Sequence, residues 1–162
     1  MLKRLHSSYM LSKKAKYALQ ACLALAKIPP GIPMMIQDIA SAEKIPKKFL
    51  ELILLELRNG GVLQSKKGKG GGYLLAKQPR QITMGQIIRL MDGSIAMVPC
   101  VSQTAYQPCQ ECVDEYLCGI RMVMKDVRDA TSNILDGTTL QDVMDRVRVT
   151  TESSNQTFDY AI

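Results

Sequence analysis

The sequence predicts a mainly α fold with a small β wing: a winged helix-turn-helix followed by a long dimerisation helix. Three features carry that reading. Two short helical patterns flank a tight turn at Lys44, Ile45 and Pro46. A lysine and glycine run, KKGKGGG, lies between two short apolar stretches just after them. A heptad-spaced helix follows the segment from Cys100 to Cys118, which holds four of the five cysteines. A helix pair with an adjacent hairpin is the layout of a DNA-reading head.

Composition narrows the class. A chain of 162 residues can build one ordinary core plus an extension whose apolar face needs a partner. No apolar run approaches the roughly 18 residues of a membrane span. The start, MLKRLHSSYM, has neither the apolar core nor the small-residue cleavage site of a secretory signal, so a cytoplasmic location is expected. Residues 1 to 98 hold 16 Lys and Arg against 5 Asp and Glu, +11, whereas residues 99 to 162 hold 5 against 10, −5, for a net +6. A segment that basic attracts polyanions, and counterion release makes nucleic acid the natural partner. The plain alternative is a solvated surface with an uneven charge split. In a reducing compartment, clustered cysteines suit metal or redox chemistry better than structural disulfides.

Taken in order, residues 1–9 are patternless and read as a flexible arm or a non-native start before Met10. His6, the only histidine, falls there and is read as inert. From Ser12, a good N-cap, SKKAKYALQACLALAK sets Ala18, Ala21, Cys22 and Leu25 on one stripe, so Cys22 is read as core. Pro29, Pro30 and Gly31 end that helix. A short helix around Met35 to Ala42 follows, then a second from Pro46 to about Asn59. In that second helix Phe49, Leu50, Ile53, Leu54 and Leu57 repeat at three and four residues, and Lys47 and Lys48 project from the opening turn. Val62 to Ser65 and Tyr73 to Ala76 read as the wing strands, with Lys66, Lys67 and Lys69 at the tip. The glycines there do not form a nucleotide loop, because the run returns as YLLAK instead of opening a helix. Thr83 caps MGQIIRLMD, which Gly93 closes, completing a DNA-binding domain over residues 10–98. Residues 99–119 form the cysteine loop. In residues 120–149, Ile120, Val123, Val127, Ala130 and Ile134 make a seam that a two-fold dimer would bury, or failing that the chain's own domain. A last short helix starts near Thr139, and residues 150–162 read as a disordered tail.

Four loop thiolates, Cys100, Cys109, Cys112 and Cys118, suffice for a 2Fe-2S or 4Fe-4S cluster or for tetrahedral zinc. Their gaps of eight, two and five residues match neither ferredoxin pattern. A metal-free switch in which Cys109 and Cys112 form a disulfide is a third possibility. Pro108, Cys109 and Cys112 match half of a zinc deaminase site, but His6 is followed by Ser7 and Ser8, so the His-x-Glu half is missing. Lacking any other histidine or a nucleophile and base pair, the chain is not read as an enzyme.

The stretches SKKAKYAL, FLELILLELRNGGVLQSKKGKGGGYLL and the cysteines before the long helix resemble the IscR, NsrR and CymR family of winged-helix regulators, also called the Rrf-two family, over about Met10 to Val149. The resemblance implies a homodimeric winged helix that reads a pseudo-palindrome in double-stranded DNA, with an iron-sulfur cluster in the IscR and NsrR branches and none in CymR. It implies DNA contacts at Pro46, Lys47, Lys48 and Phe49, and at Lys67 on the wing, with Glu51 affecting base choice. Cys112 and Cys118 match the family's last two cluster ligands, and Cys100 matches the first by distance from the preceding helix. The loop is longer than the family pattern and carries the additional Cys109. Arg121 and Lys16 stand where IscR-like and some NsrR-like proteins place a histidine and an aspartate. Neither ligates iron easily, which favours a fourth thiolate from the loop. The competing reading is a nucleic-acid-binding module stabilised by zinc or controlled by a thiol-disulfide pair.

Overall fold

The first long helix, α1 (Lys13–Ala26), is the hub of the fold in the computed structural model, which describes residues 11–158, with side chains described as far as Ser153. The arm expected at residues 1–9, with His6, and the end of the expected tail, residues 159–162, lie outside the described residues. Ser12 caps α1 as its spacing predicts, accepting from the Ala15 N–H at 3.0 Å. Ala15, Ala18, Ala21 and Cys22 are fully buried along one face. Such small side chains let neighbours approach closely, and α1 packs against α2 (Ile36–Glu43), α3 (Lys47–Asn59), α4 (Met84–Asp92), the second wing strand and the last helix. The Cys22 thiol is pushed up to about 12 by burial, so it is inert core.

The α2–α3 turn depends on Lys44, whose φ of 53° is the only left-handed non-glycine conformation among the described residues. Its N–H bonds to the Ala40 carbonyl, and the turn tucks Ile45 into the core at 3% exposure. Pro46 is the N-cap of α3, one position earlier than the first-turn site expected. Gly60 and Gly61 end α3, and Val62 is spent on the exit, its N–H bonding to Leu57. The strands are therefore displaced by one residue from the expected spans: β1 (Leu63–Lys66) pairs antiparallel with β2 (Gly72–Leu75) in the register Leu63 to Leu75. On its other side β2 meets a single residue, Met34, through reciprocal bonds with Tyr73 at 2.9 Å.

Thr83 caps α4, accepting from the Gln86 N–H at 3.1 Å, and Gly93 closes it with φ 81°. Pro79–Gln81 and Pro99–Val101 form single 3-10 turns that the helical periodicity does not signal. The cysteine loop leads to α5 (Gly119–Gly137) and α6 (Leu140–Phe158). Two bonds stitch the start of α4 to the α5–α6 junction, Met84 N–H to Thr138 O at 2.9 Å and Leu140 N–H to Ile82 O at 3.0 Å. One face of α5 lies on α4, where Arg89 donates to both oxygens of Asp136, one at 2.8 Å, and to Ser132. Its other face is open. Ile120, Val123 and Ile134 are 70%, 56% and 66% exposed, and Ala130 and Val127 are exposed with them, so the heptad seam is uncovered in the single chain.

The C-terminal expectation needs correcting. The last helix starts where predicted, its first turn closed by reciprocal bonds between Thr139 and Asp142, but it is not short. It continues to Phe158 through residues 150–158 that were expected to be disordered. TTESSNQTF is polar but holds no Gly or Pro, so nothing in it stops a helix already nucleated upstream.

A Cβ on Gly85 would lie 2.0 Å from Asp136 Oδ1 and 2.8 Å from Arg89 Nη1. Gly85→Ala is expected to force the α4–α5 clamp apart and cost about 1–3 kcal/mol, read as a lower urea midpoint. The hydrogen bond from Arg89 also holds the Asp136 carboxyl below its ordinary value. A depressed carboxylate stabilises the fold above its unfolded pKa and ceases to as pH falls through its folded one. The gap in stability between wild type and Asp136→Asn should therefore be about 1 kcal/mol or less at pH 7 and close on acidification. A gap that widened would contradict the assignment.

Candidate DNA-reading face and cysteine cavity

Helix α3 divides cleanly. Leu50, Ile53, Leu54 and Leu57 are fully buried, whereas Pro46, Lys47, Lys48, Glu51, Leu52, Leu55 and Arg58 are exposed. Its first turn contains no acidic residue and its N-cap supplies no side-chain acceptor, so backbone N–H groups there stay available to an anion. Phe49 behaves differently from its neighbours. Its ring meets Tyr17 edge-on, centroids 5.8 Å apart, so it is partly committed to seating α3 on α1. Leu52, 59% exposed, and Leu55 share the open face and were absent from the sequence-derived site. Their signal was available: they fall off the buried three-and-four spacing and on the Lys48 stripe.

The wing presents Lys66, Lys67 and Lys69, all exposed, on a turn with Gly68 at φ 97° and Gly70 at φ 79°. A Cβ on Gly71 would come within 2.3 Å of the Lys66 carbonyl, so the tip closes tightly only on glycine. No acidic residue occurs between Glu56 and Asp92, leaving the wing and the segment after it uniformly positive. Lys16 is exposed on α1 and does not line the cysteine cavity.

The cysteine loop folds back so that Cys100, Cys109, Cys112 and Cys118 all line one cavity of about 220 Å³, with Val98, Pro108, Ile120 and Arg121 among the other lining residues. Cys100 is buried in the 3-10 turn, Cys109 is exposed, and Cys112 and Cys118 are half-buried; all are free thiols. Among the described residues no three His, Cys, Asp or Glu side chains converge tightly enough to grip a single metal ion. The thiols surround a volume, not a point.

Cys118 caps α5, its sulfur accepting from the Arg121 N–H at 3.5 Å. That backbone donor, foremost, holds its thiol below the ordinary value. Partial desolvation, then a hydrogen bond to Cys118, holds the Cys112 thiol above it. The Cys112 thiol itself donates to the Asp114 carbonyl at 3.3 Å. Arg121, placed where the family resemblance puts a histidine, brings a cation instead of a ligand. Its buried Nε is ion-paired with the Glu115 carboxylate at 3.8 Å, too long for a hydrogen bond, and has no hydrogen-bond partner. An anionic occupant of the cavity would satisfy that donor. The loop is braced by Tyr106 donating to Glu115 at 2.8 Å, by the Ser94–Ser102 hydroxyl pair at 2.7 Å, and by Arg128, which donates to the Val101 carbonyl at 2.7 Å.

The family model named Rrf2, described as an iron-dependent transcriptional regulator, matches residues 11–146. The chain belongs to the Rrf2 family. An rrf2-like HTH-type transcriptional regulator of Rhodobacter capsulatus is 43% identical over 138 residues, covering 83% of this chain and 92% of that one. CymR of Bacillus subtilis is 32% identical over 133 residues, covering 82% and 88%. The solved structure of CymR, titled the global cysteine regulator of that organism, superposes with a TM-score of 0.68 at 31% identity, covering 88% of this chain and 96% of that one. A solved T. potens IscR gives 0.68 at 26% identity, covering 86% and 89%. This Rrf2 protein is therefore a helix-turn-helix transcriptional regulator with a winged-helix fold, and its family and relatives are regulators, not enzymes. No helix among its described residues is long and apolar enough to cross a membrane.

Arg128 is 9% exposed and is the tie between α5 and the residue next to Cys100. Arg128→Met should strand the Val101 carbonyl, cost about 1–3 kcal/mol, and let protease cut within residues 102–117 sooner. An unchanged cleavage rate would mean that the loop is held elsewhere.

Proposed function

We propose that this regulator acts as a homodimer on pseudo-palindromic double-stranded DNA, with its affinity set by an iron-sulfur cluster held by Cys100, Cys109, Cys112 and Cys118. The observation that carries the cluster is the shared cavity: four thiols, with Arg121 and its ion-pair partner Glu115, surround one small volume. The donor chemistry fits, since thiolates are the usual cluster ligands and a nearby cation offsets their charge. The description of the family as iron-dependent favours a cluster over one zinc ion. When bound, a cluster supplies a group sensitive to redox state, nitric oxide and iron supply.

The protein's own residues do the rest. Cys118 starts α5, Cys100 precedes the carbonyl that Arg128 holds, and Arg89 joins α5 to α4 of the reading head. A change in how the loop is held therefore acts on the start and the middle of α5, whose far end is clamped to the reading head. Dimerisation through Ile120, Val123, Val127, Ala130 and Ile134 would bury the open seam and set two α3 helices about one DNA turn, ~34 Å, apart. Lys47 and Lys48 would reach bases or phosphates from the start of α3, with Pro46 and Phe49 shaping that turn and Glu51 constraining base choice. Lys66, Lys67 and Lys69 would add phosphate or minor-groove contacts. A signal shifts DNA affinity only by favouring one arrangement of the two heads over another.

A second reading rests on two free thiols, Cys112 and Cys118, that line the same cavity and shift each other's titration. Without a metal group these two thiols would close a disulfide, passing two electrons and two protons to an oxidant such as a peroxide.

Protein purified anaerobically should be coloured and carry iron with acid-labile sulfide, and Cys→Ala at each loop position should lower both. Colourless protein with stoichiometric zinc would overturn the cluster. Metal-free protein that gained a Cys112–Cys118 disulfide and lost DNA affinity with peroxide would support the second reading. For DNA, titration at several salt concentrations should show a preferred palindrome. Lys47→Ala and Lys67→Ala should each reduce the log-log salt slope by about 1.8 for the bound dimer, about 0.9 from each subunit, if the side chain neutralises a phosphate. Equal affinity for all duplexes would sink the operator reading.

A further inference from the structure

Strand β2 is incompletely paired, and the gap is shaped. Tyr73 exchanges both of its backbone bonds with Met34, and Ala76 donates to Val62 on the β1 side at 2.9 Å. Backbone groups alternate sides along a strand, so the N–H and C=O of Leu75 point the same way as those of Tyr73, away from β1. Continuing the Met34 ladder antiparallel would bring Ile32 opposite Leu75. The chain does not do this. Gly31, with φ 84°, turns it aside, and the Ile32 N–H bonds to the Pro29 carbonyl at 3.2 Å instead. Among the described residues nothing bonds to the Leu75 N–H or C=O.

A groove of about 710 Å³ lies where the missing strand would run. Its walls include Ile28, Pro29 and Ile32 on one side and Leu75, Lys77 and Arg80 on the other, and none of its lining residues is acidic. Lys77 and Arg80 are exposed. An open strand edge gives main-chain donor and acceptor positions at fixed spacing, apolar walls take alternate side chains, and a purely cationic rim selects for charge.

We propose that this groove docks an extended acidic peptide segment of a partner protein, which adds as a short strand against Leu75 and continues the single-residue pairing begun by Met34. Its carboxylates lie against Lys77 and Arg80, and its alternate apolar side chains lie against Ile28 and Ile32. The regulator thereby offers a protein-docking surface separate from the exposed start of α3 and from the cysteine cavity.

The test uses the full-length protein panned against phage-displayed random dodecapeptides, with enriched sequences remade as synthetic peptides. Enrichment of Asp and Glu alternating with β-branched residues is expected. N-methylation of successive peptide amides should abolish binding at every second position, the signature of strand addition. The double variant Lys77→Glu, Arg80→Glu should weaken the peptide about ten-fold or more, while the preference for one palindrome over other duplexes and the thermal midpoint stay at wild-type values. Lys77→Gln, Arg80→Gln serves if charge reversal unfolds the chain, with a smaller loss of the same kind. No enrichment, or peptides indifferent to both variants and to the methylation pattern, would overturn the proposal. So would loss of duplex DNA binding in the variants without any selected peptide, which would assign the rim to DNA phosphates.

Discussion

Close packing on the alanine face of α1 is the constraint from which the rest of the structure follows. Ala15, Ala18 and Ala21 carry no side chain beyond Cβ, so α3, α4 and β2 reach the same helix without leaving voids. Longer side chains there would push those elements apart, and the exposed start of α3 would no longer have a fixed relation to the wing. The Tyr17–Phe49 edge contact extends the same support to the first turn of α3. A DNA-reading surface must be rigid to be selective, and here the rigidity comes from the side of α3 that never faces solvent.

The second organising feature is polar. Arg89 spans from α4 to Ser132 and Asp136, and Arg128 spans from α5 to the loop carbonyl beside Cys100. Guanidinium groups suit this task because a planar fork holds both distance and direction. They make α5 the shared border of three regions: the reading head, the cysteine loop and the open heptad seam. Because Gly85 must lack a side chain for α4 to lie so close, the backbone and the charges specify the same geometry.

Within the loop, electrostatics distinguish thiols that composition treats alike. Cys118 gains a backbone donor by capping a helix, Cys112 donates to the Asp114 carbonyl, Cys100 is buried, and Cys109 is exposed. Arg121 adds a cation, ion-paired with Glu115. These asymmetries give one cavity several distinct sulfur environments.

The sequence alone determined the helix order, the caps at Ser12 and Thr83, the turn before Pro46, the wing and the seam of α5, because each rests on local periodicity or on residues with a fixed backbone preference. It also placed the chain among its relatives through the wing and the cysteines. Local patterns could not decide the rest. The length of α6 was missed because polarity was read as disorder where no breaker stood. The one-residue displacement of the strands came from Val62 being drawn into the exit of α3, and the meeting of four thiols at one cavity from how the loop folds back. The groove beside Leu75 exists only because Gly31 turns the chain away from a strand edge more than forty residues later. Each is a relation between segments distant in sequence, so only the tertiary structure decided it.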